Sequence, residues 1–185
     1  MIHLKRAVPA LLLCVALPLG AAAGRAVPEG PVLVTVAGAI TDPNLGPETP
    51  DRLTLLSRLD VTYEAAVGFD AGMLAALPQV DVATVYPGSD RPATFTGPRL
   101  AAVLEAAGAG GRMALPMGLD GYQVEISADL IAAHDPILAT RLDGAPMAIG
   151  GLGPAMVVFP EVADPELTEE LDSLEVWSTF FIATQ

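Results

Sequence analysis

Few residues in this chain belong to the types that carry out chemistry, and they stand far apart. The 185 residues include one cysteine, Cys14, and two histidines, His3 and His134. Zinc sites take three or four protein ligands, mostly cysteine and histidine, so this inventory disfavours a zinc enzyme. No serine stands in a Gly-x-Ser-x-Gly pattern, and no Gly-rich segment leads into Lys-Ser or Lys-Thr. A hydrolase with a nucleophile elbow and a P-loop nucleotide-binding protein are therefore also disfavoured.

Carboxylates are the commonest remaining candidates for chemistry. Seven acidic residues fall within 161–175, but they lack the Asp-x-Asp-x-Asp-Gly spacing of a calcium loop. We interpret this segment as an exposed loop or a frayed helix. His134 and Asp135 precede a proline and are typical of a helix end, and Asp143 with Gly144 is typical of a turn. A functional role for Asp135 and Asp143 stays open on sequence grounds.

The stretch 134–160 predicts the centre of the fold. Apolar runs at 137–139 and 156–159 are bounded by glycine and proline, which is the pattern of buried strands, and they predict strands at 137–141 and 155–159. Asp143-Gly144 lies between extended segments and predicts a tight hairpin turn, because glycine accepts a positive φ without steric cost. Trp177, near the C-terminus, is interpreted as a core anchor.

The rest of the chain mixes strand-like and helix-like periodicity. The segment 51–60 favours a helix, although its Leu-Thr-Leu alternation also permits a strand, and 87–92 is predicted to be a loop. The other predicted strands are 32–38, 80–86, 122–126 and 176–183, and the other predicted helices are a short one capped by Asp70, 99–107 ended by Gly108, and 128–133 capped by Ser127. This mixture predicts an α+β fold.

The first 23 residues have the pattern of a secretory signal peptide. Lys5 and Arg6 precede an apolar run at 7–19, and three alanines ending at Ala23 offer a cleavage site. A retained amphiphilic anchor is the alternative, and the two prolines that bracket the run disfavour it. We expect cleavage after Ala23, a periplasmic or secreted location, a mobile lead at 24–31, and no transmembrane segment after cleavage.

The mature chain would be strongly acidic. It would keep 162 residues, with seven arginines against 22 acidic residues and a formal net charge of −15. Cys14 and the single lysine would leave with the signal peptide, so no disulfide or thiolate ligand would remain. Such a charge repels nucleic acid and anionic membrane surfaces, and neither is expected as a partner.

Three segments in order carry a family resemblance. They are Phe95–Leu100 leading into Leu104–Gly108, the Leu-Asp-Gly-x-Pro and Gly-x-Gly-Pro motifs within 134–160, and Val176–Ile182. Together they resemble the molybdopterin-binding domain of sulfite-oxidase-type oxidoreductases. The resemblance spans residues 32–185 and implies one domain with the mixed-sheet sulfite-oxidase-type molybdopterin-binding fold.

The chain departs from the resembled family where a cofactor would be held. The family ligates molybdenum through a cysteine thiolate, and the corresponding segment 85–89 has none, although Tyr86 or Ser89 could offer oxygen. The resemblance also implies basic side chains near the cofactor phosphate, where this chain has Met156, Ser173 and Val176. Arg99 and Arg141 remain as possible anion contacts. No cofactor is expected.

Two functional hypotheses follow. The favoured one is an exported module that has lost the molybdenum site and acts in ligand binding, in sensing or as an accessory domain. Its partner would be a small anion or a membrane-bound redox or signalling protein. The alternative is a molybdopterin-dependent oxidoreductase with a non-cysteine protein ligand or none.

Overall fold

The computed structural model describes residues 25–185, so the predicted signal peptide and its cleavage site lie outside the described residues. The described chain is a mixed α+β domain with two sheets. Its strands are β1 Val34–Ala37, β2 Ala66–Phe69, β3 Gln79–Val85, β4 Pro92–Pro98, β5 Ala114–Gly118, β6 Ile137–Ala139, β7 Arg141–Leu142, β8 Ala145–Pro146, β9 Ala155–Val158 and β10 Val176–Thr184. Its α-helices are α1 Leu55–Arg58, α2 Ala71–Ala76, α3 Leu100–Ala107, α4 Ala128–His134 and α5 Pro165–Asp172.

The first sheet is built around the C-terminal strand. Its order is β2-β1-β10-β9-β6, and β5 also pairs with β10. The pairing of β1 with β10 is parallel, whereas the other pairings in this sheet are antiparallel. The long strand β10 therefore joins three neighbours, which makes the last residues of the chain the centre of the sheet.

The second sheet is smaller and entirely antiparallel, with the order β3-β4-β7-β8. Its β4 passes very close to β6 of the first sheet, and the amide of Thr140 donates to the carbonyl of Thr96 at 2.9 Å. A Cβ at Gly97 would lie 2.1 Å from the carbonyl oxygen of Leu138. Only glycine at this position allows the two sheets to approach so closely.

Both faces of the first sheet are covered. Val36, Val157 and Ile182 pack with residues of α3 and α4 on one face. Met156 and Val158 of β9 pack against Phe95 of the second sheet on the other. Successive residues of β9 thus enter two different cores, because side chains alternate across a strand.

Most predicted elements around the centre are confirmed. β6 and β9 pair antiparallel, with Leu138 opposite Val157. Asp143 and Gly144 form the turn between β7 and β8, with φ values of 49° and 79°. Asp70 and Ser127 cap α2 and α4 through their side chains, and Gly108 ends α3 with φ 79°. The acidic segment contains helix α5.

Several predictions were wrong at the level of single elements. The segment 122–126 makes only isolated bridges to β5 and no continuous strand ladder. The predicted helix 51–60 shrinks to α1 after a 3₁₀ turn, because Leu53 takes φ 56° and interrupts it. The strands β2, β4 and β5 were not predicted, and the start of β4 lies in the segment that was predicted to be a loop.

The segment before β1, which the sequence predicts as a mobile lead, makes defined contacts. The amides of Glu29 and Gly30 donate to a carboxylate oxygen of Asp70 at 2.7 and 2.9 Å. The guanidinium of Arg25 donates to the carbonyls of Ala106 and Asp42. These bonds place the segment against α2 and α3.

Candidate functional site

The two predicted anion contacts lie in different cavities. Arg99 precedes α3 and lines an open cavity of about 470 Å³ together with Asp81, Asp135 and Glu161. Its Nη1 atom lies 2.5 Å from a carboxylate oxygen of Asp135, so its charge is already compensated. Carboxylates outnumber cations among the lining residues, and an anion would meet net repulsion there.

Arg141 lies at the edge of a different cavity, which we call the Arg141 cavity. This space of about 320 Å³ lies between α2, the start of β7 and the loop after β8, and its lining includes Ala75, Thr140, Met147 and Ile149. Within residues 25–185, the lining of this cavity contains one cationic side chain and no carboxylate. An apolar space with a single charged group at its edge suits a small organic ligand.

The segments that the resemblance assigns to the cofactor meet at a third place, beside Trp177. Two cavities of about 300 and 200 Å³ share Asp172, Glu175 and Trp177 in their linings, and we call them together the Trp177 cleft. The smaller cavity is also lined by Thr84, Val85, Pro87 and Gly88, and the larger one by Asp120, Tyr122 and Ser173. The 85–89 and 173–176 segments are thus brought together.

A bulge in β10 creates the cleft. The pairing of β10 with β9 shifts register between Val176 and Thr179, and Ser178 takes φ 51°. Val176 and Thr179 are both fully buried, so the extra residue between them turns Trp177 outward, where it is 50% exposed. The interpretation of Trp177 as a core anchor was therefore wrong.

The cleft has an unusual electrostatic environment. The pKa of Glu175 is raised to about 7, mainly by burial and to a smaller extent by the nearby Asp172, while the amide of Phe159 opposes the shift by donating to its Oε1 at 3.2 Å. Burial, with Glu161 nearby, also raises the pKa of Asp172. Asp172 and Glu175 therefore hold their protons more tightly than ordinary carboxyl groups do.

Only some of the individual positions implied by the resemblance line the cleft. Ser173 lines the cleft, but Met156 and Val176 are fully buried in the core, so they could not face a cofactor phosphate. Ser89 donates to the carbonyl of Tyr86 at 3.0 Å within the turn after β3, and neither residue is among those lining the cleft.

His134 and Asp143, the remaining candidates, occupy positions that stabilise local structure. His134 is the last residue of α4, as predicted for a helix-end histidine. Asp143 receives hydrogen bonds from Arg91 at 2.8 Å and from the amide of Thr94 at 2.9 Å, and these donors lower its pKa. Both contacts hold the β7–β8 turn against β4.

Across residues 25–185, no group of three or more His, Cys, Asp or Glu side chains is placed to hold a metal ion. In the same part of the chain, no helix combines the length and apolar character needed to cross a membrane.

The chain matches no protein-family model, and a sequence comparison with curated proteins finds no match. The fold and the cavities therefore carry the functional argument.

Sequence reasoning missed two features of these sites. The first is the Trp177 cleft. It was missed because the β10 bulge that exposes Trp177 leaves no strong signal in the sequence. The second is the role of Thr140 and Met147 as neighbours of Arg141. A signal for the second exists, since an Asp-Gly turn places the residues on its two sides opposite one another.

Proposed function

We propose that this protein is an exported binding or sensory module built on a mixed-sheet sulfite-oxidase-type molybdopterin-binding fold, and that it has lost the molybdenum site. The observation that carries this proposal is the lining of the Trp177 cleft. The segments that correspond in the resemblance to the family's cofactor-binding segments line this cleft, and its lining includes the carboxylates of Asp120, Asp172 and Glu175.

The residues present do not fit a molybdenum cofactor. The resemblance implies a thiolate ligand and cations around a polyanionic cofactor. The lining of the cleft, within the described residues, contains Asp120, Asp172 and Glu175 and has no thiol and no cationic side chain. Carboxyl groups offer no attraction to an anionic cofactor, and a soft metal would find no soft ligand.

A binding role also explains why the fold would be retained without the cofactor. The Arg141 cavity and the Trp177 cleft are open concave sites on a scaffold with tightly packed cores. Such a scaffold can present a ligand site or a surface for a membrane-bound redox or signalling protein. A fold hosts many functions, so the site decides the proposal.

The decisive test is the metal and pterin content of protein purified from the exported fraction of its own host. We expect both to be far below one per protein molecule. A known molybdenum enzyme purified from the same cells in parallel should show near-stoichiometric metal, which controls for cofactor supply and loss. Near-stoichiometric molybdenum and pterin in this protein would contradict the proposal and favour the oxidoreductase alternative.

Export has a separate test. Mass spectrometry of the protein recovered outside the cytoplasm should find a new N-terminus near Gly24, because cleavage is expected after Ala23. Recovery with an intact Met1 would contradict cleavage and favour the retained anchor.

A further inference from the structure

Arg141 differs from most arginines of this protein in its surroundings. Among residues 25–185, the guanidinium groups of Arg25, Arg52, Arg91 and Arg99 each lie within 4.0 Å of a carboxylate, whereas that of Arg141 does not. Its Nη2 atom donates to the carbonyl of Gly144. A guanidinium carries five N–H donors, so this single bond leaves most of its donors available.

The hairpin holds Arg141 in place. Arg141 lies opposite Thr96 on β4 and opposite Pro146 on β8. The amide of Met147 donates to the carbonyl of Thr140 at 3.0 Å, which closes the ladder next to the cavity. These contacts fix the backbone of Arg141 at the cavity.

The rest of the cavity is mainly apolar. Ala71 and Ala75 present one face of α2, Leu33 precedes β1, and Met147 with Ile149 follows β8. Ile149 is 70% exposed, so its apolar surface is open to a ligand that enters the cavity. Thr140 and Gln79 are the uncharged polar residues of the lining.

We infer that the Arg141 cavity binds a small organic anion, with its carboxylate at Arg141 and its apolar tail along Met147, Ile149 and α2. This inference specifies the ligand class for the binding role proposed above and rests on that role. The carboxylate gains a charge-assisted hydrogen bond, and the tail removes exposed apolar surface from water. The volume of about 320 Å³ suits a medium-length chain.

The test is calorimetric titration of the full exported protein with three probes. Sodium octanoate should bind saturably at one site. Octyltrimethylammonium, with the same tail and the opposite charge, should not bind, and acetate, which lacks the tail, should bind about tenfold more weakly or worse. Absence of octanoate binding, or equal binding of the cationic probe, would overturn the inference.

Two variants and two matched controls locate the site. Arg141→Gln should weaken octanoate about tenfold or more, whereas Arg58→Gln, which removes an exposed arginine that does not line the cavity, should leave it unchanged. Ala75→Trp should fill the cavity and abolish binding, whereas Ala76→Trp alters the next exposed position of the same helix and should not.

Thermal unfolding of all four variants checks that each is folded. Octanoate binding that survives both Arg141→Gln and Ala75→Trp would overturn the inference. These titrations measure octanoate binding and not metal content. Absence of octanoate binding would therefore contradict this inference alone, whereas stoichiometric molybdenum would contradict the proposed function.

Discussion

The Arg141 cavity and the Trp177 cleft are similar in size and opposite in lining. The first has about 320 Å³ and one guanidinium among apolar side chains, and the second has two spaces of about 300 and 200 Å³ among carboxylates. Local neighbours, and not the net charge of the chain, therefore decide which ligand each site can hold.

Different segments of the chain supply the two linings. The turn after β3 and the start of β10 meet beside Trp177, where Asp172 and Glu175 present carboxylates. The Arg141 cavity is formed by other segments, and within residues 25–185 no carboxylate lies within 4.0 Å of its guanidinium.

The largest expected effect is on the contact that brings the two sheets together and so sets Arg141 beside α2. Gly97→Ala should lower the free energy of unfolding by about 3 kcal/mol or more, because its Cβ would meet the backbone of Leu138 and Ala139. Chemical denaturation measures this. Gly46→Ala is the control, since a Cβ there has no neighbour within 4 Å. Equal stability of the two variants would contradict the close approach.

Glu175 gives the next largest effect, and it depends on pH. The folded pKa of about 7 lies above the ordinary 4.5, so the folded protein holds this proton more tightly than the unfolded chain. Its stabilising contribution is complete below about pH 4.5 and is lost as the pH rises to about 7. Glu175→Gln should therefore match the wild type at pH 4.5 and exceed its unfolding free energy at pH 8, by on the order of 2 kcal/mol.

A fluorescence measurement and a control variant sharpen the Glu175 prediction. Trp177 is the single tryptophan and shares the cleft with Glu175, so its fluorescence should change with an apparent pKa near 7 in the wild type and not in Glu175→Gln. Glu169→Gln changes an exposed acid of α5 and should behave like the wild type in both measurements. A wild-type fluorescence profile that is flat between pH 5 and 8 would contradict the raised pKa.

Arg99 should give the smallest effect. Arg99→Gln removes an ion pair whose two side chains are about half exposed, so the free energy of unfolding should fall by less than about 1 kcal/mol. Octanoate affinity should stay the same, because Arg99 lies in a different cavity from Arg141. A loss of octanoate binding in this variant would move the anion site to Arg99.

The sequence predicted those parts of the fold whose signals are local. Asp143 and Gly144 predict their turn because Asp-Gly tolerates positive φ, which both residues adopt. The apolar runs of β6 and β9 predict two buried strands, and these strands pair with each other. The strand β4 was missed because it starts and ends at prolines, and its ladder depends on partners at 79–85 and 141–142. Such partners are not visible in a single segment.

The candidate sites were harder to predict than the fold for the same reason. Arg99 and Arg141 look alike in sequence, and only the structure shows that Asp135 compensates one of them. The exposure of Trp177 depends on one extra residue in β10, and the pKa of Glu175 depends on burial against segments distant in sequence.

The most direct test of the contrast between the two cavities is an amide chemical-shift map of the ¹⁵N-labelled protein titrated with octanoate. We expect the largest shifts at residues 71–79 and 140–149 and none beyond the background at 172–177. Shifts that are largest around Trp177 and Glu175, or that spread evenly over both sites, would contradict the account.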